Sequence, residues 1–374
     1  MSASQIEMRA PARPQWRRLC LPSFALAALT ALIVWAAVAD LLQHGQLKTV
    51  LSAGWAELAA PLLVALVVVT GICERIWPAE PRPVSFLDLS GPHSRGTHWV
   101  GFTVGTHAYL STGTADSRPT NRLDDQFPVI VDLARPDRPA EVGRWWLPGT
   151  QQGDGSPPPV RHEVFDAGFR AHNINVCAGR PDRAYVGYLD AGAVILDISD
   201  ATSPAMVSRL DYHPPMPGFT HTVLPLPRSN LLAISDESVH DAAADYPKLV
   251  WFADVSHETS PLIISSAPMP PVAEFAHRGG RFGAHNLHEN EPFAWSWQDE
   301  DIVFGSFFNA GVRAYDVRNP FQPAEVAAFV PPAPPGSRTG AAQINDVYVA
   351  ADGIVYAVDR GGGGLYLLQF EGTP

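Results

Sequence analysis

The stretch VILDISDATSP, residues 194–204, contains the pattern that decides the fold: an apolar run ends in Asp197, and Pro204 follows seven positions later. The same pattern occurs as VIVD at 129–132 with Pro139, as WFAD at 251–254 with Pro261, and as RAYD at 313–316 with Pro323. Successive Asp residues are 65, 57 and 62 positions apart, whereas the Asp-to-Pro spacing is constant. A constant local pattern within repeats of variable length indicates one supersecondary unit that is copied along the chain.

Each repeat is predicted to contain four short strands. Around Asp197, runs rich in Val, Ile and Tyr alternate with Gly, Pro and Asp, which are strand and turn signals. Repeated four-stranded units are typical of a β-propeller. The Asp…Pro segment is then the hairpin between the last two strands of a blade, where an Asp carboxylate accepts backbone N–H groups in an Asx turn. This interpretation makes the repeated Asp residues structural rather than catalytic.

The starts of the units give a count of five. They carry polar residues at equivalent places, namely His98, His172, His221, His285 and Asp346. The predicted fold is therefore all-β, a propeller of about five four-stranded blades over residues 84–370. The fifth unit lacks its last strand, and FLDLSGP at 86–92 looks like the displaced fragment of the motif. We expect this fragment to complete the last blade and close the ring, which would remove an open sheet edge.

The strands and turns of these units resemble the LVIVD-repeat proteins. The resemblance covers roughly residues 84–370 and includes the ending INDVYV at 344–349 and VDRGGGGLY at 358–366. It implies a β-propeller and no particular activity. A more distant similarity is to selenium-binding proteins of the methanethiol oxidase type, which are propellers that bind metal through histidines. Because a fold does not determine a function, that similarity implies no reaction here.

The N-terminal part of the chain predicts a membrane anchor. Residues 21–39 are uncharged and about as long as a bilayer core requires. Arginines precede this stretch and hold the N-terminus in the cytoplasm, and a second, shorter apolar stretch covers 58–73. The predicted organisation is a basic tail at 1–20, an anchor at 21–76 with helices at about 21–41 and 57–76, a Pro-rich linker at 77–83 and the propeller at 84–370.

Two spanning helices would make the lipid bilayer a partner and return the chain to the cytoplasm, so the expected location is a bacterial inner membrane with a cytoplasmic propeller. The propeller is periplasmic if the second apolar stretch does not span, and a signal peptide cleaved after Ala39 is the alternative to the first helix. Residues 20–83 are also similar to the N-terminal membrane segment of bacterial sterol desaturases. The histidine boxes of such an enzyme do not follow, and no desaturase chemistry is inferred.

Charge and cysteine content exclude several classes of function. The formal net charge is −12, and the chain after residue 85 has no basic stripe, so it is a poor surface for nucleic acid. The three cysteines form neither a disulfide framework nor a C-x-x-C motif. The glycines at 361–364 are not a phosphate loop, since no Lys-Ser/Thr follows, and no nucleotide cofactor is expected.

The His and Asp series at the starts of the units has two interpretations. First strands of a propeller line its central channel, so these side chains are expected to converge there. Imidazoles with a carboxylate are suitable ligands for a transition metal such as iron, copper or zinc. Alternatively, the same residues are structural and form hydrogen bonds from blade to blade. The predicted metal ligands are His172, His221, His285, Asp346 and His98.

Further polar residues are candidates for substrate binding. Glu237 follows the second strand of the third unit, and Arg313 and Arg360 are able to bind an anionic substrate. The cluster at 288–291 has the spacing of a metal site, but we interpret it as a surface loop.

Two hypotheses follow. One is a membrane-anchored propeller with a metal or ligand site at one end of its channel, serving as an oxidoreductase or a hydrolase. The other is a non-catalytic scaffold that binds a protein or glycan at the membrane. The partner at the propeller face is an unknown small molecule or protein.

Overall fold

The computed structural model describes residues 6–7, 83–103 and 105–371, which form five β-sheets. Blade 1 contains β2 (Trp99–Gly101), β3 (His107–Thr112), β4 (Phe127–Asp132) and β5 (Ala140–Arg144). Blade 2 contains β6 (Ile174–Cys177), β7 (Arg180–Gly187), β8 (Ala193–Asp197) and β9 (Ala205–Leu210). Blade 3 contains β10 (Thr220–Leu226), β11 (Leu231–Asp236), β12 (Val250–Asp254) and β13 (Leu262–Ser266). In these three blades, consecutive strands pair antiparallel.

Blades 4 and 5 depart from this plan. Blade 4 contains β14 (Ile302–Ser306), β15 (Val312–Asp316) and β16 (Ala324–Phe329), and β1 (Ile6–Glu7) pairs parallel with β16. Its inner position is taken by an irregular segment in which Leu287 bridges Gly305 of β14. Blade 5 contains β17 (Ile344–Val349), β18 (Ile354–Asp359) and β19 (Gly364–Gln369). The described helices are α1 (Val272–Phe275) and a 3₁₀ turn (Pro227–Ser229).

All five blades contribute residues to the wall of one central cavity, either from an inner strand or from the segments beside the strands, and the five sheets confirm the predicted all-β propeller of five blades. The alternating faces of the strands pack between neighbouring blades. Separate apolar clusters join blades 1 and 2, 2 and 3, 3 and 4, and 4 and 5. Phe252 and Phe304, for example, are almost fully buried in two of these clusters, and burial of such a side chain contributes about 1.5–3 kcal/mol. Packing between sheets therefore sets the positions of the inner strands.

The repeated Asp…Pro segment forms the predicted hairpin in four blades. The carboxylate of each Asp accepts the N–H two residues later at 2.7–3.0 Å, in Asp132, Asp197, Asp254 and Asp316. Each of these Asp residues also pairs with the residue eight positions later, at the start of the fourth strand. A constant turn with a constant register explains why the Asp-to-Pro spacing never varies. These carboxylates do not line the central cavity, in agreement with a structural role.

The prediction that residues 84–92 complete blade 5 is wrong for the described structure. Ser85 donates a hydrogen bond to the carbonyl oxygen of Pro136 at 2.6 Å, and Leu87 packs against the apolar cluster of blade 1. Within the described residues, β19 pairs with β18 alone. Because this fragment lies close in sequence to blade 1, docking there closes a much shorter loop than docking on blade 5, at a lower entropic cost.

Both apolar stretches of the predicted anchor lie outside the described residues, as do the linker up to residue 82 and the segment compared with sterol desaturases. In residues 83–103 and 105–371, no helix is long and apolar enough to cross a membrane.

Replacing Asp197 should test the structural role of the motif. Asp197→Ala removes the acceptor of the Ser199 N–H and hydroxyl hydrogen bonds. We expect a lower free energy of unfolding, because two hydrogen bonds of the turn are lost, and urea denaturation measures the change. Asp137→Ala is the matched control, because this exposed carboxylate of another turn pairs only with exposed arginines. Equal effects of both substitutions would contradict the role assigned to the motif.

Candidate functional site

The histidines at the starts of blades 1–4 converge on the central cavity, which has a volume of 770 Å³. Backbone hydrogen bonds fix their places. The N–H groups of His98, His172 and His285 each donate to a carbonyl oxygen of the second strand of their own blade, at 2.7–2.9 Å. His221 lies within β10, at a bulge between Thr220 and Thr222. The inner strand of each of these blades therefore carries its imidazole to the same level of the channel.

Contacts between blades are made by the backbone at these histidines. The hydroxyls of Ser111 and Ser235, at the ends of second strands, donate to the carbonyl oxygens of His172 and His285 in the next blade. Blade 2 has Gly187 at this place, where an added Cβ would lie 2.0 Å from the carbonyl oxygen of His221. The main-chain carbonyls of His172, His221 and His285 thus take part in the contacts between blades. The imidazole of His285 makes such a contact as well, because its Nδ1 bonds to the Asn345 carbonyl of blade 5.

The Nδ1 atoms of three rings are held by hydrogen bonds, two of them from the residue that follows in the chain. Nδ1 of His172 lies 2.8 Å from Oδ1 of Asn173, and Nδ1 of His221 lies 2.8 Å from Oγ1 of Thr222. Nδ1–H of His285 donates to the carbonyl oxygen of Asn345. A partner that fixes one ring nitrogen fixes the tautomer and orients the other nitrogen. Three Nε2 atoms are therefore presented toward the centre of the cluster.

The Nε2 atoms and the Glu237 carboxylate form one compact group. Nε2 of His98 is 2.8 Å from Nε2 of His172. The Glu237 oxygens lie 3.5 Å from Nε2 of His285 and 4.0 Å from Nε2 of His221. His172, His221 and Glu237 each offer a ligand atom within 4.8 Å of the other two. We call these residues, His98, His172, His221, His285 and Glu237, the His–Glu cluster.

Burial controls the charge of the cluster. It lowers the pKa of His172 and His285 to about 3 and holds the pKa of His221 well below its usual value. Burial also raises the pKa of Glu237 to about 7, although the nearby Arg281 acts in the opposite direction. At neutral pH the imidazoles are therefore uncharged, with lone pairs available, and the carboxyl group is close to its titration point.

The remaining predicted site residues differ in whether they reach the central cavity. Asp346 and Arg360 line the central cavity. The three residues whose ligand atoms lie within 4.8 Å of one another are His172, His221 and Glu237, and Asp346, like His98 and His285, is outside this group. Arg313 lies away from the cavity, in β15, where it pairs with Glu325 and packs over the ring of Phe275. Glu237, predicted as a substrate-binding residue, lies within the His–Glu cluster itself.

Sequence reasoning missed the roles of residues 288–291, which are not a surface loop. His288 is buried, accepts the Val349 N–H at Nδ1 and donates from Nε2 to the carbonyl oxygen of Trp297 at 2.7 Å, so it joins blade 4 to blade 5. Glu289 crosses the channel to accept a hydrogen bond from the Asn173 side chain of blade 2, and burial raises its pKa to about 7.

Several arginines of the site were also missed. Arg95, Arg170 and Arg281 line the cavity and stand three, two and four residues before His98, His172 and His285. The sequence alone shows an arginine two to four residues before each of three histidines, and this pattern could have predicted that the arginines belong to the site.

Comparison with known proteins agrees with the repeat pattern. The LVIVD repeat family matches residues 182–211, which include β8 and β9 of blade 2. The chain is a five-bladed β-propeller that contains a segment similar to the LVIVD repeat. No curated protein matches it.

Solved structures similar to this chain include the β-propeller domain of Cps50 (Swd1) from Myceliophteria thermophila, at 12% identity and a TM-score of 0.43, over 72% of this chain and 67% of that one. Another is Sqt1 from Saccharomyces cerevisiae, at 9% identity and a TM-score of 0.39, over 76% of this chain and 65% of that one. The chain thus spans about two thirds of the length of each.

The close approach at Gly187 gives a stability prediction. Gly187→Ala places a methyl group against the His221 carbonyl, and such overpacking should cost about 2–3 kcal/mol. Gly179→Ala is the control, because its added Cβ would meet only Pro227 at an ordinary 3.4 Å. Thermal melting of both variants checks this. A Gly187→Ala protein with the same melting temperature as the control would contradict the described packing of blades 2 and 3.

His288 gives a prediction about pH. Burial lowers its pKa to about 4, so its contribution to stability is complete above the unfolded value of about 6.5 and is lost as the pH falls toward 4. The stability gap between the wild type and His288→Gln should therefore shrink by about 2 kcal/mol between pH 7.5 and pH 5. Urea denaturation at both pH values measures this, with exposed His257→Gln as the control. A gap that stays constant or widens would contradict the assignment.

Proposed function

We propose that the His–Glu cluster binds a transition metal ion and that this centre acts on a small molecule in the central cavity, as an oxidoreductase or a hydrolase. The observation that carries the proposal is the orientation of the rings. Imidazole rings from four different blades lie next to one another beside a carboxylate. Nε2 of His98 and Nε2 of His172 are 2.8 Å apart, Nε2 of His221 and Nε2 of His285 lie within 4.0 Å of Glu237, and neighbouring groups hold Nδ1 in three of the rings. A histidine with one nitrogen hydrogen-bonded and the other facing its partners is arranged as metal ligands are.

The distances within the cluster fit a common metal ion. Two ligand atoms about 2.1 Å from one metal are at most about 4.2 Å apart, and about 3 Å apart when they meet at a right angle. The pairwise separations of 2.8, 3.5 and 4.0 Å fall within that range or close to it, and the ligand atoms of His172, His221 and Glu237 lie within 4.8 Å of one another. Small side-chain shifts would therefore bring these atoms to bonding distance.

The chemistry of the donors limits the choice of metal. Imidazole nitrogens suit zinc, copper and iron, whereas a site for calcium or magnesium would consist of oxygen ligands. Thiolates are absent from the His–Glu cluster, since Cys177 lies elsewhere in β6. We therefore propose iron, copper or zinc. Such an ion would polarise a bound substrate or water.

The electrostatics of the cluster favour a cation. Neutral imidazoles do not repel an incoming metal ion, and they lose no bound proton on coordination at neutral pH. A bound cation would also favour the ionised form of Glu237, which burial disfavours in its absence. A chain that uses this cluster only for packing would gain nothing from collecting ionisable groups at one level of the channel.

Elemental analysis tests the metal proposal. The full chain, purified in detergent without a polyhistidine tag, should contain about one equivalent of iron, copper or zinc, and His172→Ala/His285→Ala should contain less than about 0.1 equivalent. Exposed His257→Ala is the control and should keep its metal.

Folding of the double variant is checked by circular dichroism, and a milder variant, His221→Gln, serves if it does not fold. A wild-type protein with less than about 0.1 equivalent of every transition metal, after supplementation of the growth medium, would contradict the proposal and favour the non-catalytic scaffold.

A further inference from the structure

Two pairs of arginines flank the row of histidines in the central cavity. Arg95 and Arg170 are near enough to His98 to lower its pKa, and Arg281 and Arg360 act in the same way on His285. All four line the cavity. They come from the segments before the inner strands of blades 1, 2 and 4 and from the end of β18 in blade 5. This end of the channel is therefore surrounded by guanidinium groups, although the whole chain has a net charge of −12.

One arginine of each pair is neutralised by a carboxylate. Nε of Arg95 lies 2.6 Å from an oxygen of Asp125. Nη1 of Arg281 lies 2.8 Å from an oxygen of Glu237, and its guanidinium group lies over the ring of Phe308. These two arginines are fixed by the protein and have structural partners.

The second arginine of each pair lacks such a partner. Arg170 is largely buried, yet its nearest carboxylate oxygen, on Asp125, is 3.9 Å away, and its Nε has no acceptor among the described residues. Nε2 of the neighbouring Gln126 is also a buried donor without an acceptor. Arg360, at the exposed rim, donates to Oδ1 of Asn345 at 3.1 Å and forms no ion pair within the described part of the chain. Asp125, Asp190 and Asp124 supply counter-charge near Arg170, but none of them accepts a hydrogen bond from its Nε, and a buried donor without an acceptor is costly.

Acidic residues lie toward the opposite end of the channel. Glu289 and Glu291 line both the central cavity and a second cavity of 260 Å³, which also contains Asp299 and Glu300. The channel is therefore positive on the side of the arginines and negative on the other side. In a low-dielectric channel, such a separation of charge attracts anions to one end and cations to the other.

We propose that the positive end of the central cavity binds a small anion through a carboxylate or phosphate group, held by Arg170 and Arg360 beside the His–Glu cluster. A guanidinium group donates two parallel N–H groups to such an oxyanion, and the anion supplies the acceptors that Arg170 Nε and Gln126 Nε2 lack. As a substrate site it rests on the proposed metal centre, whereas the anion binding itself depends only on the arginines.

Calorimetry on the full chain tests this inference. The protein is stripped of metal with a chelator, dialysed, and titrated at low salt with succinate and, separately, with inorganic phosphate. We expect at least one of the two to bind with Kd below about 1 mM and to bind more weakly as salt is added. Arg170→Gln and Arg360→Gln should each weaken it about tenfold or more. Arg135→Gln, which removes an exposed arginine from a turn of blade 1, is the matched control.

The two ligands distinguish a carboxylate site from a phosphate site, and either result supports the inference. Binding of neither ligand at concentrations up to about 10 mM, or binding that the arginine substitutions leave unchanged, overturns it. Metal content, measured on the same proteins before chelation, separates the two proposals. Anion binding in a protein that never holds metal would reject the metal centre alone, whereas a metal-loaded protein that binds no anion would reject the anion site alone.

Discussion

The backbone at the start of each inner strand is held from two sides, and the rest of the site depends on this. The N–H of His172 pairs with β7 of its own blade, while its carbonyl oxygen accepts the hydroxyl of Ser111 from the preceding blade. His285 is held in the same way by β14 and Ser235. Serine hydroxyls and main-chain groups make these contacts between blades, and the imidazole of His285 adds one of its own through Nδ1 to the Asn345 carbonyl of blade 5. The scaffold thereby allows polar residues in the channel.

That freedom has an energetic consequence. Placing several neutral imidazoles in a buried group lowers their pKa values far from those of the unfolded chain, so the fold loses stability as the histidines of the unfolded state take up protons. Buried Glu237 and Glu289 have raised pKa values and oppose this trend, because they bind protons in the folded state. A metal ion that binds only the folded protein would stabilise it further. Stability and occupancy of the cluster are therefore linked.

The sequence predicted the parts of the structure that follow from local rules. An Asp that ends a strand and a Pro seven positions later form the same turn wherever they occur, so the hairpins and the number of blades could be read from spacing alone. The convergence of four histidines followed from their equivalent places in the repeat. The surroundings of some residues could not be predicted from local rules, because they depend on contacts between segments that are distant in sequence. These residues are Glu237, Arg313 and 84–92. Arg313 donates a hydrogen bond to Glu325 on the neighbouring strand, and Leu87 packs against the apolar cluster of blade 1.

The charge balance around the cluster connects the metal site to the anion site. At the positive end of the channel, four arginines lie near the carboxylates of Asp125 and Glu237, with Asp190 and Asp124 also acting on Arg170. Arg360 has no ion pair within the described part of the chain, so the proposed anion site keeps a positive charge of its own. A divalent cation would increase that positive charge in a region of low dielectric constant, where uncompensated charge is costly. Glu237 is unable to serve the metal fully while it also pairs with Arg281. An anion that binds Arg170 and Arg360 adds negative charge beside the proposed metal site and reduces the positive charge there, and for this reason we expect metal and anion to increase each other's affinity.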